Sequence, residues 1–523
     1  MSDTSATPAV GLPPAAADTR FFGHPRGLRL LFEAEMWERF SFYGMRALIV
    51  PFLVNVQGWQ MPAAANVYGT YNMAVYLTPL VGGYLADRWI GTRRSLLIGG
   101  AIISAGHFVL ALPSMRAFYV GLSLVVIGTG FFKPNASTMV GQLYAKGDAR
   151  RDAGFTLFYM GINLGAFLGP IACGWLAETA WLGWHYGFAA AGVGMALGLV
   201  AYVRRGDAFL GDIGKAPAAR ARAAAAARAV EPHEARRTAA HAAAGALAGG
   251  ALAALLAGPS AVPLLAGGAV GAMFGVTVLG SRGEERRRVL ALFIVVFFVI
   301  FFWAAYEQTG SSMNMFAFEN TDMVFFGWKM PATWFQSFNP VVILIFAPLF
   351  ASGWQWLARR RREPSTASKM VLGLFLLGVG FLFMIAGGAR ADGGVLVSPI
   401  WLALAYAFHT WGELCLSPVG LSYVSKLAPA RFASLLMGAW FLANSAGQKI
   451  AGALAGFTPL PGAQRPAGGA GLAGYLQEVS ATNAGFYSIF VVSSFAAAGL
   501  MLLFVPLLKR LASGADSPGG AQG

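Results

Sequence analysis

The stretch Glu35-Met-Trp-Glu38-Arg39-Phe40-Ser-Phe42-Tyr43-Gly-Met-Arg46 lies inside an apolar run, near residues 28–55, long enough to cross a bilayer. An ionisable side chain near the centre of a spanning helix costs about 2.5–3.5 kcal/mol on the insertion scale, so these charges need partners or a wet cavity. Helical periodicity puts Glu35, Glu38, Arg39, Phe42 and Arg46 in one stripe, which is expected to face such a cavity. Two carboxylates with one guanidinium between them cannot both stay comfortably ionised in low dielectric. One is expected to exchange a proton as its partner moves, which is proton-coupling chemistry; a static ion pair that fixes helix packing is the plainer reading.

The rest of the chain supports a membrane setting. Of its 523 residues 57% are apolar and 12% charged, against about 25% charged in a soluble domain, which excludes an ordinary soluble enzyme. Hydropathy predicts fourteen spans, near 28–55, 62–86, 93–112, 117–137, 153–176, 185–203, 240–257, 262–280, 289–317, 332–357, 368–388, 398–426, 432–455 and 485–508. An even count puts both termini on one side. Arg26 and Arg29, Arg88, Arg93 and Arg94, Arg150 and Arg151, Arg286 to Arg288, Arg359 to Arg362, and Lys509 and Arg510 mark that side as cytoplasmic. The net charge of +15 is therefore topological, and no nucleic-acid partner is expected.

Met1 to Arg20 lacks the basic and apolar regions of a signal peptide, so residues 1–25 read as a disordered tail. Between Arg204 and Arg288 the composition turns to Ala, Gly and Arg, as in Ala216 to Ala229, followed by two bland apolar spans. The expected organisation is a six-helix bundle over 26–205, a cytoplasmic linker and inserted two-helix hairpin over 206–285, a second six-helix bundle over 286–510, and a disordered tail over 511–523. A transporter built from two such halves binds its substrate near the midplane.

Other buried charges join the first stripe. Lys133 sits in Gly130-Phe-Phe-Lys133-Pro134-Asn135, where Pro134 is expected to kink the helix beside a cation, or the lysine simply snorkels. Glu307 in Trp303-Ala-Ala-Tyr306-Glu307-Gln308 and Glu413 in Trp411-Gly-Glu413-Leu-Cys-Leu-Ser417-Pro418 have no cation in their own helix. The simplest neutralisation pairs them with Arg46 and Lys133 across the halves, as ion pairs that form and break like gates; the alternative is that both acids stay protonated and pack. Asn163 and Asn339 are amides in apolar helices, suited equally to interhelical bonding and to ligand contact. Tyr43, Tyr76, Trp303 and Trp440 line pockets or pack. Cys173 and Cys415 read as small buried hydrophobes, and the scattered His107, His185 and His409 imply no metal.

Taken together these motifs resemble the proton-dependent oligopeptide transporters of the major facilitator superfamily. The resemblance spans roughly residues 25–510 and rests on Glu35-x-x-Glu38-Arg39-Phe-x-x-Tyr43-Gly, Ala86-Asp87-Arg88-Trp-Ile-Gly91-Thr-Arg93, Gly130-Phe-Phe-Lys133-Pro134-Asn135, Phe158-Tyr159-x-Gly161-Ile-Asn163-x-Gly165 and Gly412-Glu413-Leu-Cys-Leu-Ser-Pro418. It implies import of di- and tripeptides by proton symport and alternating access, with protons as coupling ion and no other cofactor. It further implies that Arg46 and Lys133 meet the peptide carboxylate, and that Glu413, with Asn163 and Asn339 nearby, meets the amino end. Tyr43, Tyr76, Trp303, Ser417 and Trp440 match pocket positions. Proton coupling falls to Glu35, Glu38 and Arg39 with Glu307, and the gating pairs are Arg46–Glu307 and Lys133–Glu413. Phe42 stands where many bacterial members have Tyr, and Gly69 where animal members have His, so an imidazole relay is not expected here.

Three other readings compete. A nitrate or small-anion importer is disfavoured by Glu35, Glu38, Arg39 and Glu413. A membrane peptide sensor would need a signalling domain, yet only 14 residues follow Lys509. A membrane enzyme would need a Ser/His/Asp or metal constellation, and none is evident. A monomer is the default oligomeric expectation.

Overall fold

The computed structural model describes residues 19–145, 148–215, 232–257, 261–460 and 471–512. The chain divides into an N-terminal unit, residues 1–48 and 78–222, and a C-terminal unit, residues 49–77 and 223–523, with the division falling inside the first two helices.

The N-terminal unit contains most of α1 (Arg26–Pro51), the end of α2 (Met61–Leu85), α3 (Thr92–Leu110), α4 (Met115–Gln142), α5 (Arg151–Glu178) and α6 (Trp184–Leu210). In lipid, apolar surface gives helices little reason to associate, so small residues that let backbones touch decide the pairing. A Cβ added to Gly99 of α3 would stand 2.6 Å from the Gly128 carbonyl oxygen of α4, and one on Gly121 would stand 2.8 Å from that of Gly106. Likewise α5 meets α1 where a Cβ on Gly165 would lie 2.0 Å from the Met36 carbonyl oxygen. That contact runs along α1 from the Met36 carbonyl to the Phe40 nitrogen, with the Arg39 Cβ beside it. Leu28, Leu31, Leu96, Ile103, Phe132, Met139 and Tyr202 fill the core of this unit.

The N-terminal tail needs a correction. Residues 1–18 lie outside the described residues, but 19–25 are ordered where the sequence suggests disorder. Phe21 and His24 exchange backbone hydrogen bonds around Gly23, whose φ of 80° suits the turn. Phe21 packs on Phe32 of α1, and His24 Nδ1 meets the Tyr144 hydroxyl at 2.9 Å. Arg150 donates to the Gly23 carbonyl at 3.3 Å and grips Asp148. Burial, then the Arg150 charge, lowers the pKa of His24. Hydrogen bonds from Arg150 bring that of Asp148 down to about 2. Two aromatics and a glycine in five residues are enough to fold this short segment back onto α1.

The C-terminal unit holds the first part of α2, then α7 (Pro232–Ala257), α8 (Ala261–Phe274), α9 (Gly283–Tyr306), α10 (Ser312–Glu319), a two-stranded antiparallel ribbon of β1 (Val324–Phe325) and β2 (Trp328–Lys329), α11 (Phe338–Arg359), α12 (Thr366–Ala391), α13 (Ile400–Leu427), α14 (Ala433–Ala455), α15 (Gly471–Val479) and α16 (Asn483–Ala512). Its core is aromatic, with Phe298, Phe302, Phe316, Phe381, Tyr406, Phe486 and Phe490 buried together. The hairpin α7–α8 closes on its own glycines: a Cβ on Gly245 would stand 2.0 Å from the Gly271 carbonyl oxygen, and one on Gly249 2.1 Å from that of Gly267. The Ala216 to Ala229 run lies outside the described residues.

The ninth span, read as one helix over 289–317, is interrupted. α9 ends at Tyr306, a tight 3₁₀ turn covers Glu307–Gly310, and α10 resumes at Ser312. Thr309-Gly310-Ser311 cannot hold an α-helix against a competing turn, and Ser311 takes φ −127° and ψ −90°. The break falls on Glu307. The short helix α15 was not expected from sequence either.

Among the described residues seven helical stretches are long and apolar enough to cross a membrane on composition alone, including α4, α5, α6, α12 and α16. Several others reach spanning length, such as α1 with 26 residues, about 39 Å at 1.5 Å per residue. In α2, which carries no charge, Asn, Tyr, Gly and Pro keep the hydropathy down, and elsewhere charges do so. In α1 these are the charges of the quoted motif.

Candidate functional site

In the N-terminal unit Glu35, Glu38, Arg39 and Arg46 are all buried. Arg39 Nε lies 3.1 Å from Glu35 Oε1 and is also ion-paired with Glu38 Oε2. One guanidinium thus bridges two carboxylates, as the spacing predicts. Glu35 Oε2 and Glu38 Oε1 are buried without a hydrogen-bond partner in the structure, so the cluster is electrostatically paired but incompletely hydrogen-bonded. Phe42 and Tyr43 extend the stripe, with Arg39 over the Phe42 ring at 5.3 Å and Arg46 over the Tyr43 ring at 5.8 Å.

Lys133 of α4 joins this group, interacting electrostatically with Glu35, Glu38, Arg39 and Arg46. α4 continues through Pro134 as a single helix. The carbonyl of Gly130, which Pro134 deprives of its helical donor, faces α2 at Gly82, where an added Cβ would stand 2.0 Å away. Three cations against two carboxylates leave one positive charge, which suits an anionic ligand group. Asn163 of α5 is buried and donates to the Tyr159 carbonyl oxygen of its own helix at 2.9 Å. The loop motif at Asp87-Arg88 folds into a π-helical turn, and Arg93 bonds the Gly211 carbonyl oxygen at 2.8 Å and Asp207 at 2.9 Å. It ties α3 to the end of α6.

The C-terminal unit handles its acids differently. Tyr306, the last residue of α9, donates its hydroxyl proton to Glu413 Oε2 at 2.6 Å. The Asn339 amide, near the start of α11, reaches Glu413 Oε2 at 3.0 Å, the Tyr306 oxygen at 2.6 Å and Thr410 Oγ1 at 3.0 Å. Trp303 packs edge-on to Tyr306 at 5.2 Å, with its indole nitrogen buried and unpartnered. Three residues singled out from sequence, Trp303, Asn339 and Glu413, therefore come together. Trp440 is buried against Gly420 on α13, where a Cβ would stand 2.1 Å from its ring. Ser417 Oγ is buried without a hydrogen-bond partner. Tyr76 is half-buried on the α2 segment of this unit.

Glu307 is 2% exposed at the helix break, and the Gln448 amide of α14 donates to its Oε1 at 2.6 Å. Sequence reading missed Tyr306, Thr410 and Gln448. Thr410 carried a usable signal, since it lies three residues before Glu413 on the same helical face. Gln448 carried none, because only the fold brings α14 to the break.

Comparison with known proteins follows the same line. A family model described as the POT family matches residues 93–227 and 260–467, more than half of the chain. The chain is 37% identical over 453 residues to the peptide transporter YePEPT of Yersinia enterocolitica subsp. palearctica, covering 83% of this chain and 88% of the relative. It is 35% identical to a di-/tripeptide transporter of Lactococcus lactis subsp. cremoris, covering 82% of this chain and 89% of the relative. The crystal structure of a peptide transporter POT in complex with sulfate superposes with a TM-score of 0.78 at 37% identity, covering 96% of this chain and 99% of that one.

Proposed function

The chain belongs to the POT family, and from that premise we propose that it is a proton-coupled symporter importing di- and tripeptides across a bacterial inner membrane by alternating access. Family membership and the structural likeness establish an all-α multi-pass membrane transporter of the major facilitator fold. The named relatives weigh on the side of peptides rather than small inorganic anions. The observation that carries the reading is the opposite electrostatic character of the two clusters. A peptide zwitterion carries a carboxylate that the cation excess of Arg46 and Lys133 attracts, and an ammonium that Glu413 accepts, with Asn339 and Asn163 as amide contacts.

Tyr43, Tyr76, Trp303, Ser417 and Trp440 would bound the side-chain space with apolar and weakly polar groups, which suits loose reading of peptide sequence. Glu35, Glu38 and Glu307 would take part in proton coupling together with Arg39, whose guanidinium stays charged and answers the carboxylates. A carboxylate that takes a proton releases its cation, and the pairs Arg46–Glu307 and Lys133–Glu413 would break and re-form on that signal. The monomer is the proposed working unit, with both termini cytoplasmic.

The test is uptake of labelled dialanine into proteoliposomes with and without an inward proton gradient, for the native protein and Glu35→Gln. The reading predicts gradient-driven accumulation that Glu35→Gln loses while peptide counterflow persists. A folded native protein that takes up no peptide under either condition defeats it.

A further inference from the structure

Glu307 follows the last residue of α9 at a break in the helix, buried, with the amide nitrogen of Gln448 donating to its Oε1 at 2.6 Å. Gln448 is itself 1% exposed, and its amide oxygen is buried without a hydrogen-bond partner among the described residues. A buried carbonyl left unmet beside a carboxylate is a cost that packing normally removes. It ceases to be a cost if a donor arrives at that place in another state of the protein.

The backbone around Gln448 is held firmly. Its carbonyl oxygen lies 3.1 Å from where a Cβ on Gly69 of α2 would stand, and a Cβ on Gly452 would lie 2.7 Å from the Gly69 Cα. Ser445 donates to the Met73 carbonyl oxygen at 2.9 Å, and Lys449 reaches Asn66 and Thr70, each at 2.6 Å. This turn of α14 is therefore clamped to α2, and the adjustable part of Gln448 is its side-chain amide. The 3₁₀ turn is fixed as well: Gln308 donates to the Ala304 and Ala451 carbonyl oxygens and accepts from Ser312 at 2.7 Å.

We propose that Gln448 is the positioning residue that keeps Glu307 hydrogen-bonded in both of its protonation states. With Glu307 ionised, the amide NH2 donates to the carboxylate, as seen here. When a proton from water adds to the carboxylate, the new O–H becomes a donor, and a half-turn of the amide about its last bond presents the unmet oxygen to accept it. Release returns that proton to water and the amide to its first orientation. Protonation can then change the charge at the helix break without stranding either form. This rests on the reading that Glu307 carries a coupling proton. Titratable groups on the surrounding elements of this unit include Tyr306 on α9, His409 and Glu413 on α13, and Lys449 on α14, with Glu413 bonded by Tyr306 and Asn339 and Lys449 by Asn66 and Thr70.

The test is the pH profile of gradient-driven dialanine uptake in proteoliposomes for native protein, Gln448→Leu, Gln448→Met, Glu307→Gln and the double variant Glu307→Gln/Gln448→Met. Met keeps the chain length of Gln and guards against a variant that fails to fold. Losing the donor makes the buried anion harder to sustain, so both single Gln448 variants should shift the midpoint to higher pH, by about one unit. In the Glu307→Gln background, read by peptide counterflow rather than by gradient-driven uptake, the second substitution should change nothing further, because the amide then faces no acid at that position. If Glu307→Gln abolishes gradient-driven uptake while the Leu and Met variants leave the midpoint unmoved, Gln448 only packs and the proposal falls alone. If Glu307→Gln keeps gradient-driven accumulation, the coupling role of Glu307 and this proposal fall together.

Discussion

The acids of the two units are buried in contrasting ways. In the N-terminal unit Glu35 and Glu38 are answered by a charge, the guanidinium of Arg39, with Lys133 in the same field and three carboxylate oxygens, Glu35 Oε2 and both of Glu38, without a hydrogen bond among the described residues. In the C-terminal unit Glu413 and Glu307 receive hydrogen bonds from neutral donors, Tyr306, Asn339 and Gln448. A charge-paired acid responds strongly when its partner moves or when a proton arrives, whereas an acid bonded by neutral donors keeps its negative charge in place for a cationic ligand. The difference assigns switching to the first region and holding to Glu413 in the second. Glu307, which accepts from the Gln448 amide at a broken helix, has features of both.

The comparison breaks most violently at Arg39. Arg39→Met leaves two buried carboxylates without the cation between them, and removing one partner of a buried pair typically costs about 3–5 kcal/mol. A large fall in the unfolding midpoint in detergent is expected. Adding Glu35→Gln and Glu38→Gln should restore much of it, and a thermal melt of the triple variant checks this. An Arg39→Met protein as stable as the native one would mean that the cluster is solvated rather than paired.

Tyr306→Phe is expected to act on binding more than on stability. It removes the hydroxyl that serves both Glu413 and Asn339, and a hydrogen bond to a charged group is worth about 1.5–3 kcal/mol. The half-saturating dialanine concentration should rise about tenfold with the unfolding midpoint little changed, since every 1.4 kcal/mol is a factor of ten. An unchanged half-saturation would remove Tyr306 from the holding region.

The smallest expected effect lies away from both clusters, at the ordered tail. The pKa of His24 is lowered in the folded protein, so the folded state prefers the neutral ring. Its contribution is fully present above the unfolded value of 6.5 and is lost as pH falls below it, because the unfolded chain then binds the extra proton. Melts at pH 7.5 and pH 5.5 should show a fall of about 1–2 °C that His24→Phe reduces. A fall of the same size in His24→Phe would assign the pH sensitivity elsewhere.

Much of this was legible in the sequence because charge inside a membrane is rare enough to be informative. Glu35, Glu38 and Arg39 announce their cluster by helical spacing alone, and Lys133, Glu307 and Glu413 stand out against apolar neighbours. What escaped, Asn339 apart, was the part that neutral side chains supply. Tyr306 and Gln448 look like ordinary residues of apolar helices until the break after α9 and the crossing of α14 over α2 bring them to a carboxylate. The break itself was hidden because Thr309-Gly310-Ser311 barely lowers the hydropathy of a strongly apolar span. Gly69 shows the converse. The position, empty of the histidine that animal members carry, is pressed so closely on Gly452 and the Gln448 carbonyl that a side chain would force the helices apart.

The central claim is that charge excess of opposite sign holds opposite ends of a peptide, and blocked peptides test it most directly. Competition of labelled dialanine uptake by dialanine, by N-acetyl-dialanine and by dialanine amide would be measured for native protein, Lys133→Gln and Glu413→Gln. The account predicts that the native protein rejects both blocked peptides, that Glu413→Gln narrows the gap for N-acetyl-dialanine only, and that Lys133→Gln narrows it for the amide only. Equal competition by free and blocked peptides in the native protein, or the same loss of discrimination in both variants, would contradict it.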